Sequence, residues 1–136
     1  KLERCNNKKA LEFYNYHQIW AKTDKVANAI INGEKDYKIY IKYPFSSSKL
    51  NEKFLVVNTN YEYLGIVKVI KEDIIKFKDL KENMVDYKLA GFKNFNEYKD
   101  SMFKDFKEEC EAYDEKFTKE SLISYVKLEI VEKFDT

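Results

Sequence analysis

The spacing of apolar residues changes twice along the chain, from a helical period to a strand period and back. Apolar residues recur at helical spacing over residues 26–30, directly after Thr23, a residue type that caps helices, and shortly before Gly33. This pattern predicts a helix that ends at a left-handed glycine. From residue 37 to residue 43 apolar and polar residues alternate until Pro44, and this period of two predicts a strand.

Further apolar runs predict the rest of the sheet. They lie at residues 17–21, 54–57, 63–70 and 123–133, and the third is either extended or followed by a separate strand over 74–77. Gly65 falls inside one of these strands and therefore predicts a bulge or a close approach of another chain segment.

Three more segments have helical character. A short helix is predicted over residues 6–16, a second helix over 80–90 ending at Gly91, and an amphipathic helix over 95–110 capped by Asn94. The order of elements favours an α+β fold with a small, curled, mixed or mostly antiparallel sheet and helices at its ends, rather than a doubly wound parallel sheet.

Length and composition indicate a single folded domain. The chain has 136 residues, of which 44% are hydrophobic and 36% charged, so it has material for a core and a charged surface. No repeat and no Gly/Ser-rich linker divides it. Intrinsic disorder and a disulfide-stapled miniprotein are excluded.

Charge is balanced overall but not along the sequence. The formal net charge is +1, yet residues 1–60 carry 11 basic and 6 acidic residues, whereas residues 61–136 carry 14 and 18. This asymmetry permits a basic face built from the first half of the chain.

Several kinds of active site are excluded by the residues themselves. His17 is the only histidine and no nucleophile-elbow or glycine-rich phosphate motif occurs, so we expect His17 to be structural or exposed. Cys5 and Cys110 are too few for a zinc site and are predicted to be reduced thiols. The acidic run at 108–115 lacks the spacing of a calcium loop and is predicted to be a solvated helix end. The sequence predicts no metal and no cofactor.

The sequence gives no sign of membrane insertion. It has no apolar run long enough to span a bilayer and no apolar segment of a signal peptide, so a cytoplasmic location without a membrane partner is expected. Because the sequence starts at Lys1, an upstream segment could be missing.

A basic and aromatic patch follows Gly33. Lys35, Lys38 and Lys42 surround Tyr40, whose position on the strand is out of phase with the apolar face. Lysine can meet phosphate and tyrosine can stack on a base, so these four residues are the candidate binding site, against the alternative of a solvated strand edge. Tyr61 and Tyr63 are further aromatic residues after a turn.

Three segments together resemble one known family. Residues 30–35 (Ile-Ile-Asn-Gly-Glu-Lys), the strand from Ile66 to Leu80, and residues 90–98 (Ala-Gly-Phe-Lys-Asn-Phe-Asn-Glu-Tyr) are similar in order and spacing to ASCH domains of the PUA-like superfamily. The closing strand also fits. The resemblance covers roughly residues 18–134, which predicts a single ASCH-like domain over 18–136 and an N-terminal extension over 1–17.

The resemblance implies a pseudo-barrel of five to six strands with a cleft beside the Gly-x-Lys loop. It also implies binding of RNA or modified nucleosides, while a few members are amidohydrolases or ribonucleases. In the amidohydrolase type a threonine nucleophile and a glutamate are required, and here those positions hold Lys38 and Ala90. Because Lys38 offers no hydroxyl, catalysis of that kind is not expected.

We therefore predict a non-catalytic RNA- or modified-nucleotide-binding module. A small hydrolase acting on nucleosides or RNA is the first alternative. The second is a protein-interaction module that uses the acidic helix end and the N-terminal extension to bind a protein partner.

Overall fold

A computed structural model describes residues 16–134 as a five-stranded sheet with two α-helices. The elements are, in chain order, β1 (His17–Trp20), α1 (Asp24–Ile31), β2 (Tyr37–Ile41), β3 (Lys53–Val57), β4 (Tyr63–Lys76), α2 (Phe95–Glu111) and β5 (Leu122–Lys133). The strands are ordered β1-β3-β4-β5-β2 in the sheet. The predicted α+β class is confirmed. The short helix predicted over residues 6–16 lies outside the described residues except for Tyr16.

The chain divides into two compact units. Of the described residues, the first comprises 16–38, 48–72 and 126–134, and the second comprises 39–47 and 73–125. The extension over residues 1–17 and the single domain over residues 18–136 stay predictions.

The first unit contains both parallel and antiparallel strand pairs. β1 runs parallel to β3, with Ile19 opposite Val56, and β3 runs antiparallel to β4, with Leu55 opposite Ile66. Side chains from β3 and β4 and the Phe134 side chain, which directly follows β5, form one buried cluster, made of Leu55, Val57, Tyr63, Ile66 and Phe134. The sheet is therefore mixed.

The predicted helix α1 forms in this unit for local reasons. The Thr23 hydroxyl oxygen accepts a hydrogen bond from the Val26 N–H at 3.2 Å, which satisfies a backbone group that the first turn leaves open. Its apolar face is buried through residues 27 and 29–31. Gly33 follows with φ +81°, a conformation that favours glycine.

A glycine inside a strand predicts a bulge or a close approach of another chain segment, and Gly65 has both. The pairing of β3 with β4 shifts between Val56, opposite Gly65, and Val57, opposite Tyr63, so β4 carries a bulge. A Cβ atom at position 65 would collide with the backbone oxygen of Glu132 and with the Ile31 side chain. Only glycine fits between these neighbours.

In the second unit, α2 covers an aromatic cluster. The Asn94 side-chain oxygen caps α2 by accepting the Glu97 N–H at 2.9 Å, as the sequence predicted. Four phenylalanine rings meet at centroid distances of 5.4–5.5 Å: Phe77, Phe103, Phe106 and Phe117. Phe77 and Phe117 are buried and the other two rings are half-buried, so this cluster is part of the interior of the unit.

The helix predicted over residues 80–90 is wrong. The structure has two short 3-10 turns, Phe77–Asp79 and Glu82–Met84, followed by hydrogen-bonded turns up to Gly91. The Met84 carbonyl, which an α-helix would use internally, accepts the Tyr125 hydroxyl at 2.6 Å. The Asp86 carboxylate accepts the Leu89 N–H at 3.1 Å, a local bond that competes with helix formation. Residues 74–76 extend β4, which decides between the two predicted alternatives.

Candidate functional site

The alternation predicted for β2 is present in the structure. Tyr37, Ile39 and Ile41 are buried, whereas Lys38 and Tyr40 between them are half-buried. Lys42 directly after the strand is also half-buried. The strand therefore presents basic and aromatic side chains on the face opposite its core-facing residues.

Lys35 contacts a ring of the opposite face. Its N–H donates to the Ala29 carbonyl at 3.0 Å, within the turn that follows α1. Its ammonium lies 5.0 Å from the ring centroid of Tyr37, a cation–π contact. Lys35 thus has a defined position beside β2, directed to Tyr37.

Lys38 has a second lysine near it. Burial lowers the pKa of the Lys38 ammonium, and the positive charge of Lys22 lowers this pKa further. Lys22 is exposed and lies in the short connection between β1 and α1. The sequence prediction did not include Lys22, because no periodic signal links the end of β1 to β2.

Lys42 helps to close the turn after β2. Its ammonium donates to the Ser46 carbonyl, and the Ser46 hydroxyl oxygen accepts the Tyr43 N–H at 3.1 Å. One of the three N–H groups of this ammonium is used in that bond, so others remain for a ligand.

An exposed aromatic pair lies in the first unit. Trp20 and Tyr61 are 42% and 43% exposed, and their ring centroids lie 5.2 Å apart at an interplanar angle of 71°. Tyr63, named with Tyr61 in the sequence analysis, is only 3% exposed, and its hydroxyl accepts the Gln18 side-chain N–H at 3.3 Å. Trp20 belongs to the first predicted strand and is not among the predicted site residues.

The turn that carries Tyr61, residues 58–62, is held by side chains. The Asn58 side-chain oxygen accepts the N–H groups of Asn60 and Glu62, both at 2.9 Å. The Asp24 carboxylate accepts the Thr59 N–H at 2.9 Å and the Thr59 hydroxyl at 2.6 Å. Those two bonds lower the pKa of Asp24. Tyr61 itself has φ +64°, which non-glycine residues seldom adopt.

A second aromatic surface lies in the second unit. Phe45 and Tyr113 are 72% and 64% exposed, and both rings contact Tyr43, at centroid distances of 5.0 Å and 5.9 Å. The Tyr43 hydroxyl donates to the Glu109 carboxylate at 2.8 Å. Burial, and then Glu109, raise the pKa of Tyr43. We call Tyr43, Phe45 and Tyr113 the aromatic triad.

The acidic run beside the triad is exposed, as expected for a helix end. α2 ends at Glu111, and Glu108, Glu109, Asp114 and Glu115 are all exposed. Among the described residues no group of three or more His, Cys, Asp and Glu side chains is arranged to hold a metal ion.

The remaining candidates have ordinary surroundings. The His17 imidazole is 76% exposed and lies 3.7 Å from a Glu52 carboxylate oxygen. Cys110 is a free, buried thiol. Within residues 16–134, neither helix has the length and apolar character needed to cross a membrane.

One open pocket is lined by the segment that sequence reasoning placed in a helix. Its volume is about 540 Å³, and its lining residues are Glu82, Asn83, Val85, Asp86, Tyr87 and Lys88. The cleft that the family resemblance implies beside the Gly-x-Lys loop stays a prediction.

Two solved structures share the fold of this chain. One is an ASCH domain from Lactobacillus crispatus JV V101, at a TM-score of 0.70 and 16% identity, covering 91% of this chain and 85% of that one. The other is a protein from Enterococcus faecalis V583 described by the family model DUF984, at a TM-score of 0.67 and 16% identity, covering 85% and 77%. No protein-family model and no curated protein matches the sequence. The chain therefore has the fold of an ASCH domain, which confirms the predicted fold.

Proposed function

We propose that the chain, which has an ASCH-type fold, is a non-catalytic RNA- or nucleotide-binding module. The proposed site is the half-buried basic face of β2, with Lys38, Tyr40 and Lys42, together with Lys35 in the preceding turn. The observation that carries the proposal is the alternation of β2, which separates these side chains from the buried Tyr37, Ile39 and Ile41.

The charges around Lys38 suit an anion. Burial and the nearby Lys22 both disfavour the charged form of Lys38, so a negative charge brought close to it would favour that form. A phosphate bound there would offset both effects, because it supplies the opposite charge. We therefore add Lys22 to the four predicted residues as a phosphate ligand.

The other members of the site have complementary roles. Tyr40 offers a half-buried ring for a base or a ribose, and Lys42 has N–H groups beyond the one bonded to Ser46. The Lys35 ammonium lies over the ring of Tyr37, which belongs to the opposite face of β2, so Lys35 is an outer member of the proposed site. Nucleophilic hydrolysis would need a hydroxyl beside a base, and Lys38 supplies none at the position where the amidohydrolases carry threonine.

The test is a titration of labelled short RNA, followed by fluorescence anisotropy over a range of salt concentrations. We expect the logarithm of affinity to fall with the logarithm of salt, with a slope of about 0.7 per phosphate contacted on a single strand. Lys38→Glu and Lys22→Glu should each weaken binding and reduce that slope. Lys104→Glu, the same charge change at an exposed position of α2, is the matched control.

Two results would overturn the proposal. One is the absence of binding even at low salt. The other is an equal loss of affinity in Lys38→Glu and Lys104→Glu, which would show that only overall charge matters and would remove the site from β2.

A second candidate function is docking of a basic protein segment, and the aromatic triad is the observation that favours it. Phe45 and Tyr113 expose most of their surface to water beside the carboxylates of residues 108–115. Aromatic faces and carboxylates together attract lysine and arginine side chains, by cation–π contact and by charge. The same carboxylates would repel RNA.

This candidate is tested with a lysine- and arginine-rich peptide. The double variant Phe45→Ala/Tyr113→Ala should bind the peptide more weakly than the parent, while Ile70→Ala, at a 50% exposed residue of the first unit, should not change binding. Unchanged binding by the double variant would exclude the triad as the docking surface.

A further inference from the structure

We infer that Trp20 and Tyr61 form a stacking site for an unpaired base, so that the nucleic acid bound is single-stranded. This inference rests on the proposed function, because it assumes that a nucleic acid binds. It further specifies that the nucleic acid is single-stranded and that its bases stack on Trp20 and Tyr61.

The Trp20 and Tyr61 rings form a continuous exposed aromatic surface. Both side chains expose more than two-fifths of their surface, and they contact each other edge to face at 5.2 Å. Tryptophan provides the largest aromatic surface of any side chain, and bases of any sequence stack on such rings.

The backbone of Tyr61 has an energetically unfavourable conformation. Its φ of +64° is unfavourable for a residue with a side chain, yet the turn around it is fixed by backbone N–H groups that donate to the side chains of Asn58 and Asp24. Conformations of this kind persist only where the surroundings determine them, and they are concentrated at functional positions. The turn thus presents the Tyr61 ring to Trp20.

The strand topology places Lys22, which we propose to bind phosphate, close to these rings. β1 and β3 are parallel and Trp20 lies opposite Val57, so the turn at residues 58–62 starts at the same edge of the sheet where β1 ends. Lys22 is two residues beyond Trp20, a Cα separation of at most about 7 Å. A base on Trp20 and a phosphate on Lys22 can therefore belong to one nucleotide or to adjacent ones.

Stacking on these rings requires a base whose face is free. In a duplex the bases are stacked on each other and only their edges are accessible, so a protein ring cannot cover them without unstacking. Single strands expose the faces directly. The pair of exposed rings beside Lys22 therefore favours single-stranded over double-stranded RNA.

The chain offers a direct reporter, because Trp20 is its only tryptophan. We would titrate the full chain with a single-stranded hexanucleotide and with an RNA duplex of equal length, and record Trp20 emission and ligand anisotropy in the same samples. We expect the hexanucleotide to quench the emission with the midpoint that anisotropy gives. The duplex should bind more weakly and leave the emission unchanged.

Variants at both rings complete the test. Tyr61→Ala should weaken hexanucleotide binding about 5- to 150-fold, while Tyr61→Phe, which keeps the ring, should bind like the parent. Trp20→Phe replaces the tryptophan by a smaller ring and is chosen because it disturbs folding less than Trp20→Ala. Circular dichroism of each variant would reveal any loss of folding. Trp20→Phe should show an intermediate affinity.

The outcomes separate this inference from the function it rests on. If anisotropy shows binding while Trp20 emission and the affinity of Tyr61→Ala are unchanged, the stacking site is wrong and the phosphate site on β2 stands. If the duplex binds as tightly as the hexanucleotide, the single-strand preference is wrong. If no RNA binds at all, both the proposed function and the stacking site are wrong.

Discussion

The Asp24 carboxylate accepts two hydrogen bonds from Thr59, one from its N–H at 2.9 Å and one from its hydroxyl at 2.6 Å. Asp24 is the first residue of α1, and Thr59 lies in the turn that carries Tyr61. A single carboxylate therefore joins the start of the helix, where negative charge is favourable, to the turn that positions an exposed ring.

The first prediction concerns this carboxylate. Because its pKa is lowered in the folded state, its contribution is fully present above the unfolded value of about 3.9 and is lost as pH falls through the folded value. Asp24→Asn should therefore lower the free energy of unfolding at pH 7 and reduce its dependence on pH below about 4. Urea unfolding at pH 7 and in mild acid measures both effects.

The matched control is Asp100→Asn, at an exposed position of α2. It should leave the free energy of unfolding at pH 7 within about 0.5 kcal/mol of the parent. If Asp24→Asn were as stable as this control, the two bonds to Thr59 would not stabilise the fold.

The elements that the sequence predicted well are those whose signals are local. The cap at Thr23, the alternation of β2 and the glycine at position 65 each depend on a few consecutive residues, and each was found in the structure. The helix predicted over residues 80–90 is wrong because the Met84 carbonyl accepts a hydrogen bond from the hydroxyl of Tyr125, which is distant in sequence.

The candidate site was predicted only where it follows one strand. Lys38, Tyr40 and Lys42 could be selected because their period of two is visible in the sequence. The proximity of Lys22 to Lys38, and of Trp20 to Tyr61, comes from tertiary structure that brings sequence-distant residues together. No periodicity in the sequence indicates such proximity, so neither pair could be predicted from the sequence.

The second prediction follows from the like charges of Lys22 and Lys38. Lys22→Gln removes the repulsion that helps to lower the pKa of Lys38, so it should raise the free energy of unfolding by about 0.5 kcal/mol. The same change should weaken RNA binding, because binding sites often retain charges that cost stability. Thermal unfolding and anisotropy measure the two effects.

Lys25→Gln is the control for this charge change, since Lys25 is exposed on α1. It should alter neither property by more than experimental error. A Lys22→Gln protein less stable than the Lys25→Gln protein would contradict the repulsion.

The third prediction compares two glycines. Gly65→Ala would force a Cβ against the Glu132 carbonyl and the Ile31 side chain, and should cost about 3 kcal/mol of unfolding free energy. Gly91→Ala meets no atom within 4 Å but has φ +92°, so it should cost only about 1–2 kcal/mol from backbone strain. Urea unfolding would rank them, and the reverse order would contradict the close approach at Gly65.

The fourth prediction concerns the aromatic cluster of the second unit. Phe77 is 2% exposed and touches the rings of Phe103 and Phe117, so Phe77→Ala should lower the free energy of unfolding by about 3–5 kcal/mol. Phe45→Ala removes the same side chain at a 72% exposed position and should change stability by at most about 0.5 kcal/mol. Similar losses in both variants would show that the cluster is not the interior of the unit.

The fifth prediction concerns the reactivity of Cys110. Burial raises the pKa of its thiol, and the Tyr43 hydroxyl lies 4.0 Å from its sulfur. Little thiolate is therefore present at pH 7, and access is blocked, so the folded protein should react slowly with a disulfide reagent. The measurement uses a Cys5→Ser background, so that one thiol is followed, and the rate should rise to that of a free thiol when urea unfolds the chain. Rapid reaction without denaturant would show that α2 does not keep Cys110 from solvent.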